Sequence, residues 1–406
     1  MSSWKKRFVL LGIGQGVSML TSSILQISIV WYLTKQTGSA TIVTFSTLAG
    51  FLPRAVLGMF TGTFIDKFNR KAVLILSDFG IALAAIALSI VAKFGVLPIW
   101  FIFLILGIRS AGAAFHTPSL NAIVPSIVPK TELARCAGIL QGFESVSLIL
   151  SPAIGSVLYG IWSLSSIVLL DVVGALAAIT IVFFLKIPRN IEKEDQGGVN
   201  ILKDTKEGIQ VLRKEKGMMT VLIIGSLYAL IYFPIGSLYP LITMTYFNGS
   251  VTESGIVEII FSGGTLLGSL LLGIWGNRVH KILAIAASIG VYGVGAFLSG
   301  MLSPNGLYLF MVFSGMMGLT IPFFYGLRTA IFQSRIPDEF LGRVLSLVYS
   351  AGMLAGPIGL IFGGRLAETV GVNNLFRLCG ILAISLAMVM VLMPSVRKSI
   401  DLPKKD

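Results

Sequence analysis

Gly62-Thr63-Phe64-Ile65-Asp66-Lys67-Phe68-Asn69-Arg70-Lys71 forms a charged island between two apolar runs, residues 41 to 65 and 72 to 92. Part of its pattern returns 211 positions later, where Gly273, Asn277, Arg278 and Lys281 stand in register with Gly62, Asp66, Lys67 and Arg70. A second echo has an offset of 208: Ala122, Ser126, Pro129, Leu133 and Arg135 match Ala330, Ser334, Pro337, Leu341 and Arg343. Each match is short. Both fall after the second and fourth apolar runs of their halves, so together they argue for a duplicated unit. This is the parallel repeat of transporters that bind substrate near the bilayer midplane.

Working outward from these islands, the rest of the chain is mostly apolar. Of 406 residues, 55% are hydrophobic and 12% charged, against roughly 25% charged in an ordinary globular domain. A spanning helix needs about 20 apolar residues. Twelve stretches qualify, approximately 8–33, 41–65, 72–92, 97–120, 137–160, 164–186, 218–246, 254–276, 281–302, 306–328, 344–367 and 373–394. The first follows Lys5, Lys6 and Arg7 but is longer than the core of a cleaved signal peptide, so it is expected to stay as a helix. The predicted fold is an all-α integral membrane protein with twelve transmembrane helices in two pseudo-symmetric six-helix bundles.

Lys and Arg total 31, against 18 Asp and Glu, for a net charge of +13. Twenty-four of the 31 fall at the termini and in alternate loops; Lys35, Lys93, Arg365 and Arg377 occupy the opposite loops, and Arg54, Arg109 and Arg328 lie within or at the ends of spans. Basic residues stay cytoplasmic during insertion. Both termini are therefore expected in the cytoplasm, and the charge excess reads as topology, not as nucleic-acid binding. The expected organisation is an N-terminal bundle (1–187), a cytoplasmic linker (188–217), a C-terminal bundle (218–394) and a cytoplasmic tail (395–406). Within the linker, apolar residues at 201, 202, 209, 211 and 212 fit either an interfacial helix or a solvated connection.

Several chemistries are excluded. No Gly-Lys dipeptide occurs, so there is no phosphate-binding Gly-x-x-x-x-Gly-Lys loop for ATP. The two histidines, His116 and His280, make no His-Glu-x-x-His pattern, and Cys136 and Cys379 are far apart in apolar stretches. Neither an enzyme, a metal site nor a cofactor is indicated.

The island at 62–71 resembles the cytoplasmic signature of the major facilitator superfamily, with Lys67 where Arg is usual and Asn69 where Gly is usual. The resemblance covers essentially the whole chain. Thr37-Gly38-Ser39-Ala40, Gly50-Phe51-Leu52-Pro53, Arg109-Ser110-Ala111-Gly112, Ala114-Phe115-His116-Thr117-Pro118 and Ser151-Pro152-Ala153 are more closely similar to macrolide efflux proteins of Gram-positive bacteria. The resemblance implies a plasma-membrane, proton-coupled drug exporter. Gly62, Asp66, Lys67, Arg70 and Lys71 are then either a conformational latch or ordinary loop charge. Pro152 with Gly155, and Gly356 with Pro357, are expected to soften two helices; the first pair looks like the superfamily's antiporter signature, with Ser151 in place of its glycine.

Ionisable groups at a helix centre cost about 2.5–3.5 kcal/mol, so each calls for a partner or a function. Arg109 and Glu144 are expected at similar depth on consecutive helices. If their faces meet, Glu144 binds either a proton or a cationic drug, or else the pair only holds two helices together. Asp78 and Asp171 are rival proton carriers or hydrogen-bonding groups, with Arg54 as an available partner. His116 is read as a relay or as a satisfied histidine. Gln15, Ser18, Ser22 and Gln26 form a polar stripe on the first helix, facing a wet cavity or another helix. Gln15, Ser22 and Gln26, with Tyr228, Tyr232, Phe233, Phe323, Phe324 and Tyr325, are the candidate substrate contacts, since flat rings suit large apolar drugs. The expected activity is export of amphiphilic drugs by proton antiport and alternating access; the alternative is proton- or ion-coupled movement of another small solute or lipid. The expected partners are the lipid bilayer, protons and an amphiphilic small molecule, with the chain acting as a monomer.

Overall fold

The computed structural model describes residues 3–95, 97–185, 201–215, 217–276 and 278–393, and among these there is no strand. Segment 188–200, tail 395–406 and the side chains of Asp66 and Lys67 lie outside the described residues. The helices are α1 (Ser3–Thr37), α2 (Ala40–Lys67), α3 (Arg70–Lys93), α4 (Ile99–Ile127), α5 (Leu133–Ile161), α6 (Leu164–Phe184), α7 (Ile201–Lys214), α8 (Met218–Ser237), α9 (Tyr239–Leu241), α10 (Val251–Trp275), α11 (Lys281–Met301), α12 (Leu307–Arg335), α13 (Asp338–Val370) and α14 (Val372–Leu392). All but α7 and α9 are long and apolar enough to span a bilayer, which makes twelve spans. The protein is a multi-pass membrane protein.

The chain separates into two compact units, Met1–Gly38 with Phe45–Glu194, and Ser39–Thr44 with Asp195–Asp406. In the first, α1 packs on α5 and α6, while α3 packs on α4 and α6. In the second, α10 packs on α12, α11 on α12 and α14, and α8 on α13. Local chemistry repeats between them. The Asn69 side chain accepts the amides of Lys71 and Ala72 to start α3, and His280, 211 positions later, accepts the Leu283 amide to start α11. Such caps satisfy amides that the first helical turn leaves open. The Ser126 hydroxyl donates to the Ile123 carbonyl as Ser334 does to Ile331, and Pro129 and Pro337 share an extended backbone.

The linker contains more order than a solvated connection. Residues 201–214 form α7, which packs on α13 of its own unit, with Gly208 against the Arg343 backbone and Leu212 fully buried. The Arg343 guanidinium donates to Glu207 at 2.7 Å, with 40% and 29% of the two side chains exposed. Partly hydrated pairs of this kind contribute about 0–1 kcal/mol. Glu207→Ala is therefore expected to cost less than about 1 kcal/mol, visible as an almost unchanged melting curve in detergent. Leu212→Ala, which empties a packed site, is expected to cost about 2 kcal/mol or more.

Candidate functional site

Two polar clusters lie inside the first unit, each beside a glycine that lets helices close up. Gly174 of α6 faces Thr21 of α1 so closely that a Cβ there would overlap the Thr21 hydroxyl. One turn earlier on α6, Asp171 is fully buried. Its Oδ2 is ion-paired with Arg109 of α4, and its Oδ1 accepts the Ser22 hydroxyl of α1 at 2.6 Å. Gly112 of α4 does the same for α3, since a Cβ there would sit 2.7 Å from Ile81. One turn further along α4, His116 Nε2 lies 3.2 Å from Asp78 Oδ1 of α3 and 2.8 Å from Gln15 Oε1 of α1. Asp78 Oδ2 and Gln15 Nε2 make no hydrogen bond among the described residues.

This arrangement corrects the expected pairing of Arg109 with Glu144. Helices α4 and α5 follow one another in sequence but barely meet: α4 leans on α3, and α5 on α1. The Phe143 ring packs over Gly12 and Gly16 of α1, so the neighbouring Glu144 points away, exposed, and accepts the Gln141 amide at 3.1 Å. Along α5, Gly155 lies against α1 and Ser151 is buried, while Gln141, Glu144 and Leu148 are exposed. Arg54 pairs with neither acid. Its guanidinium reaches Thr117 at 3.5 Å, and its amide donates to Ser110. Gln15 and Ser22, expected to meet substrate, are committed to the two acid clusters, whereas Gln26 lies beside Gly50 of α2.

At the other sequence-predicted positions, the Arg70 guanidinium donates to the Ala122 carbonyl and the Lys71 ammonium to the carbonyls of Phe183 and Leu185. These cations tie the start of α3 to α4 and to the end of α6, where carbonyls lack helical partners. Helices α5 and α13 continue through Pro152 and Pro357. Gly155 admits Ile27 and Trp31, and Gly356 admits the Phe233 ring, so both glycines serve close packing.

In the second unit the predicted aromatics divide by depth. Tyr228 and Phe324 are core, with ring centres 4.6 Å apart, whereas Tyr232, Phe233, Phe323 and Tyr325 keep partial exposure. Tyr292 of α11, which the sequence reading passed over, joins them at 5.5 Å from Tyr228 and 5.8 Å from Tyr232. Arg328 is 4% exposed, its guanidinium 4.9 Å from the Phe324 ring centre and 5.2 Å from that of Tyr325. A Cβ at Gly225 would lie 2.9 Å from Arg328 Nη1, so this glycine makes room for the cation. Arg328 lies three and four residues after Tyr325 and Phe324, a spacing that places a cation over both rings on one helix.

Twelve spanning helices in two units, with paired charges inside the first, are the build of a membrane transport protein. The sequence pattern of the Major Facilitator Superfamily matches residues 11–242 and 221–405, and the chain belongs to that family. It is 44% identical to Macrolide efflux protein A of Streptococcus pyogenes over 397 residues, covering 98% of each chain. It is 45% identical to Macrolide efflux protein A of Enterococcus faecalis over 323 residues, covering 80% of this chain and all of that one. Among solved structures, a bacterial homologue of the iron transporter ferroportin in an inward-facing state superposes with a TM-score of 0.74 at 14% identity, covering 97% of this chain and all of that one.

Proposed function

We propose that this protein exports amphiphilic, macrolide-like drugs across a bacterial plasma membrane in exchange for protons, by alternating access, with both termini in the cytoplasm. The observation that carries the coupling is the presence of buried acids in the middle of spanning helices of the first unit, Asp171 on Arg109 and Asp78 on His116. Such groups are expensive in a bilayer and mark ion or proton pathways. Support for the cargo comes from the two macrolide efflux relatives and from the partly exposed rings of Tyr232, Phe233, Phe323 and Tyr325. Flat, rigid rings contact a large apolar ligand at little entropic cost. The loop charges support the orientation, since 24 of 31 basic residues lie on one set of loops.

A proton moving through 100 mV releases about 2.3 kcal/mol, and about 1.4 kcal/mol is tenfold in concentration. One proton per neutral drug thus sustains a gradient of roughly fifty-fold. Purified protein in liposomes, given an imposed pH gradient, is expected to accumulate a labelled macrolide, with a protonophore abolishing the accumulation. Uptake that ignores the gradient would remove proton antiport. Gradient-driven movement of a different solute, with none of the macrolide or of a lipophilic dye, would replace the cargo.

A further inference from the structure

We infer that the coupled proton binds Asp78 at Oδ2, with His116 as the positioning residue beside Oδ1, and that Asp171 serves as the counter-ion of Arg109; this rests on the proton-antiport reading above. The two buried acids differ in what surrounds them. Asp171 has both oxygens engaged, one by the Arg109 guanidinium and one by the Ser22 hydroxyl. A proton there would cancel the charge that compensates Arg109 and leave a buried guanidinium unmatched. Asp78 has no Lys or Arg within 4 Å among the described residues, and its Oδ2 is a buried acceptor without a donor. A carboxylate so placed is poorly compensated in a low-dielectric interior, and adding a proton removes that cost.

The geometry selects the oxygen. His116 Nε2 is hydrogen-bonded to Gln15 Oε1 at 2.8 Å and stands 3.2 Å from Asp78 Oδ1. Oδ1 has the imidazole as its neighbour, whereas Oδ2 is buried without a donor among the described residues and is the open site. On binding, an O–H bond forms at Asp78 Oδ2 and the Asp78–His116 pair passes from net negative to neutral. On release that bond breaks, the electron pair stays on the carboxylate, and no rearrangement at Oδ1 is required. Charged groups act on this pair from the neighbouring helices: Asp171 of α6 on Asp78 and Arg54 of α2 on His116, with Arg109 of α4 held on Asp171. Gly112 is part of the same site, because without its close approach to Ile81 the α3 acid would stand farther from the α4 histidine.

The test uses full-length protein and erythromycin as the macrolide. In detergent with a pH-indicator dye, wild-type protein is expected to release about one proton per bound macrolide, as a one-site exchange requires. Asp78→Asn is expected to release at least tenfold less and to lose pH-driven accumulation in liposomes, while macrolide counterflow without a gradient continues. His116→Gln, which keeps a polar side chain beside Oδ1, is expected to keep release but move its pH midpoint. Infrared difference spectra of wild-type protein labelled with 13C at the aspartate carboxyl should contain a protonated carboxyl band that shifts with the label and disappears on macrolide binding; this measurement does not depend on any variant folding. Release that persists in Asp78→Asn, a carboxyl band insensitive to aspartate labelling, or loss confined to Glu144→Gln overturns the assignment. Wild-type protein that releases no proton and ignores the pH gradient overturns the antiport reading itself, and this site with it.

Discussion

Arg109→Ala should leave little folded protein, and Arg109→Ala combined with Asp171→Asn should recover much of it. Asp171 is fully buried, and after the single change only the Ser22 hydroxyl would face its charge. Breaking a buried pair by removing one partner costs about 3–5 kcal/mol, a large part of a typical total stability of about 5–15 kcal/mol. The second change removes the stranded charge as well, and an asparagine still accepts the Ser22 hydroxyl. Monodisperse yield from membranes and the midpoint of thermal unfolding in detergent are the readouts. Equal losses in the single and double variants would mean that Arg109 acts through packing against its neighbours and not through its charge on Asp171.

That pair also shows where sequence reasoning stops. Hydropathy along the chain is enough to find twelve spans, because each must bury about 20 residues in lipid whatever its neighbours are. The repeat was legible because caps and turns are local: Asn69 and His280 start equivalent helices through their own side chains. Depth along a helix was legible for Arg109 too. Its partner was not, since the choice between Glu144 and Asp171 depends on which helices touch, and chain order is a poor guide to that in a bundle. Spacing of 3 and 4 residues placed Gln141, Glu144, Ser151 and Gly155 on one face, yet Phe143 wedged against Gly12 and Gly16 of α1 turns Glu144 outward. The α7 helix was legible as a weak apolar pattern, but its docking on α13, with Gly208 and Leu212 both buried, was not. Asp78 and His116 were both visible as isolated candidates, 38 positions apart; their meeting depends on Gly112, whose role appears only once α3 is packed against it.

Gly264→Ala and Gly263→Ala differ by one position on α10 and should have opposite effects. A Cβ at Gly264 would collide with the carbonyl oxygen of Gly315 on α12, one at Gly268 with that of Leu319, and one at Gly318 with that of Phe261. The helices therefore meet backbone to backbone, and the Thr265 hydroxyl donates across the crossing to the Gly318 carbonyl at 3.2 Å. Lipid tails are as apolar as leucine, so association inside a membrane depends on close packing of small residues, and Gly264-x-x-x-Gly268 is the spacing that provides it. One methyl group at Gly264 must push the two helices apart along the whole seam, and overpacking of this kind costs about 1–3 kcal/mol or more. Gly263 has no atom within 4 Å of the corresponding position. Alanine there meets open space and gains up to about 1 kcal/mol of helix propensity. Thermal unfolding of the purified variants should show Gly264→Ala falling well below wild type and Gly263→Ala equal to or above it. Similar behaviour at both positions would mean that α10 and α12 are held by their side chains, with the glycines incidental.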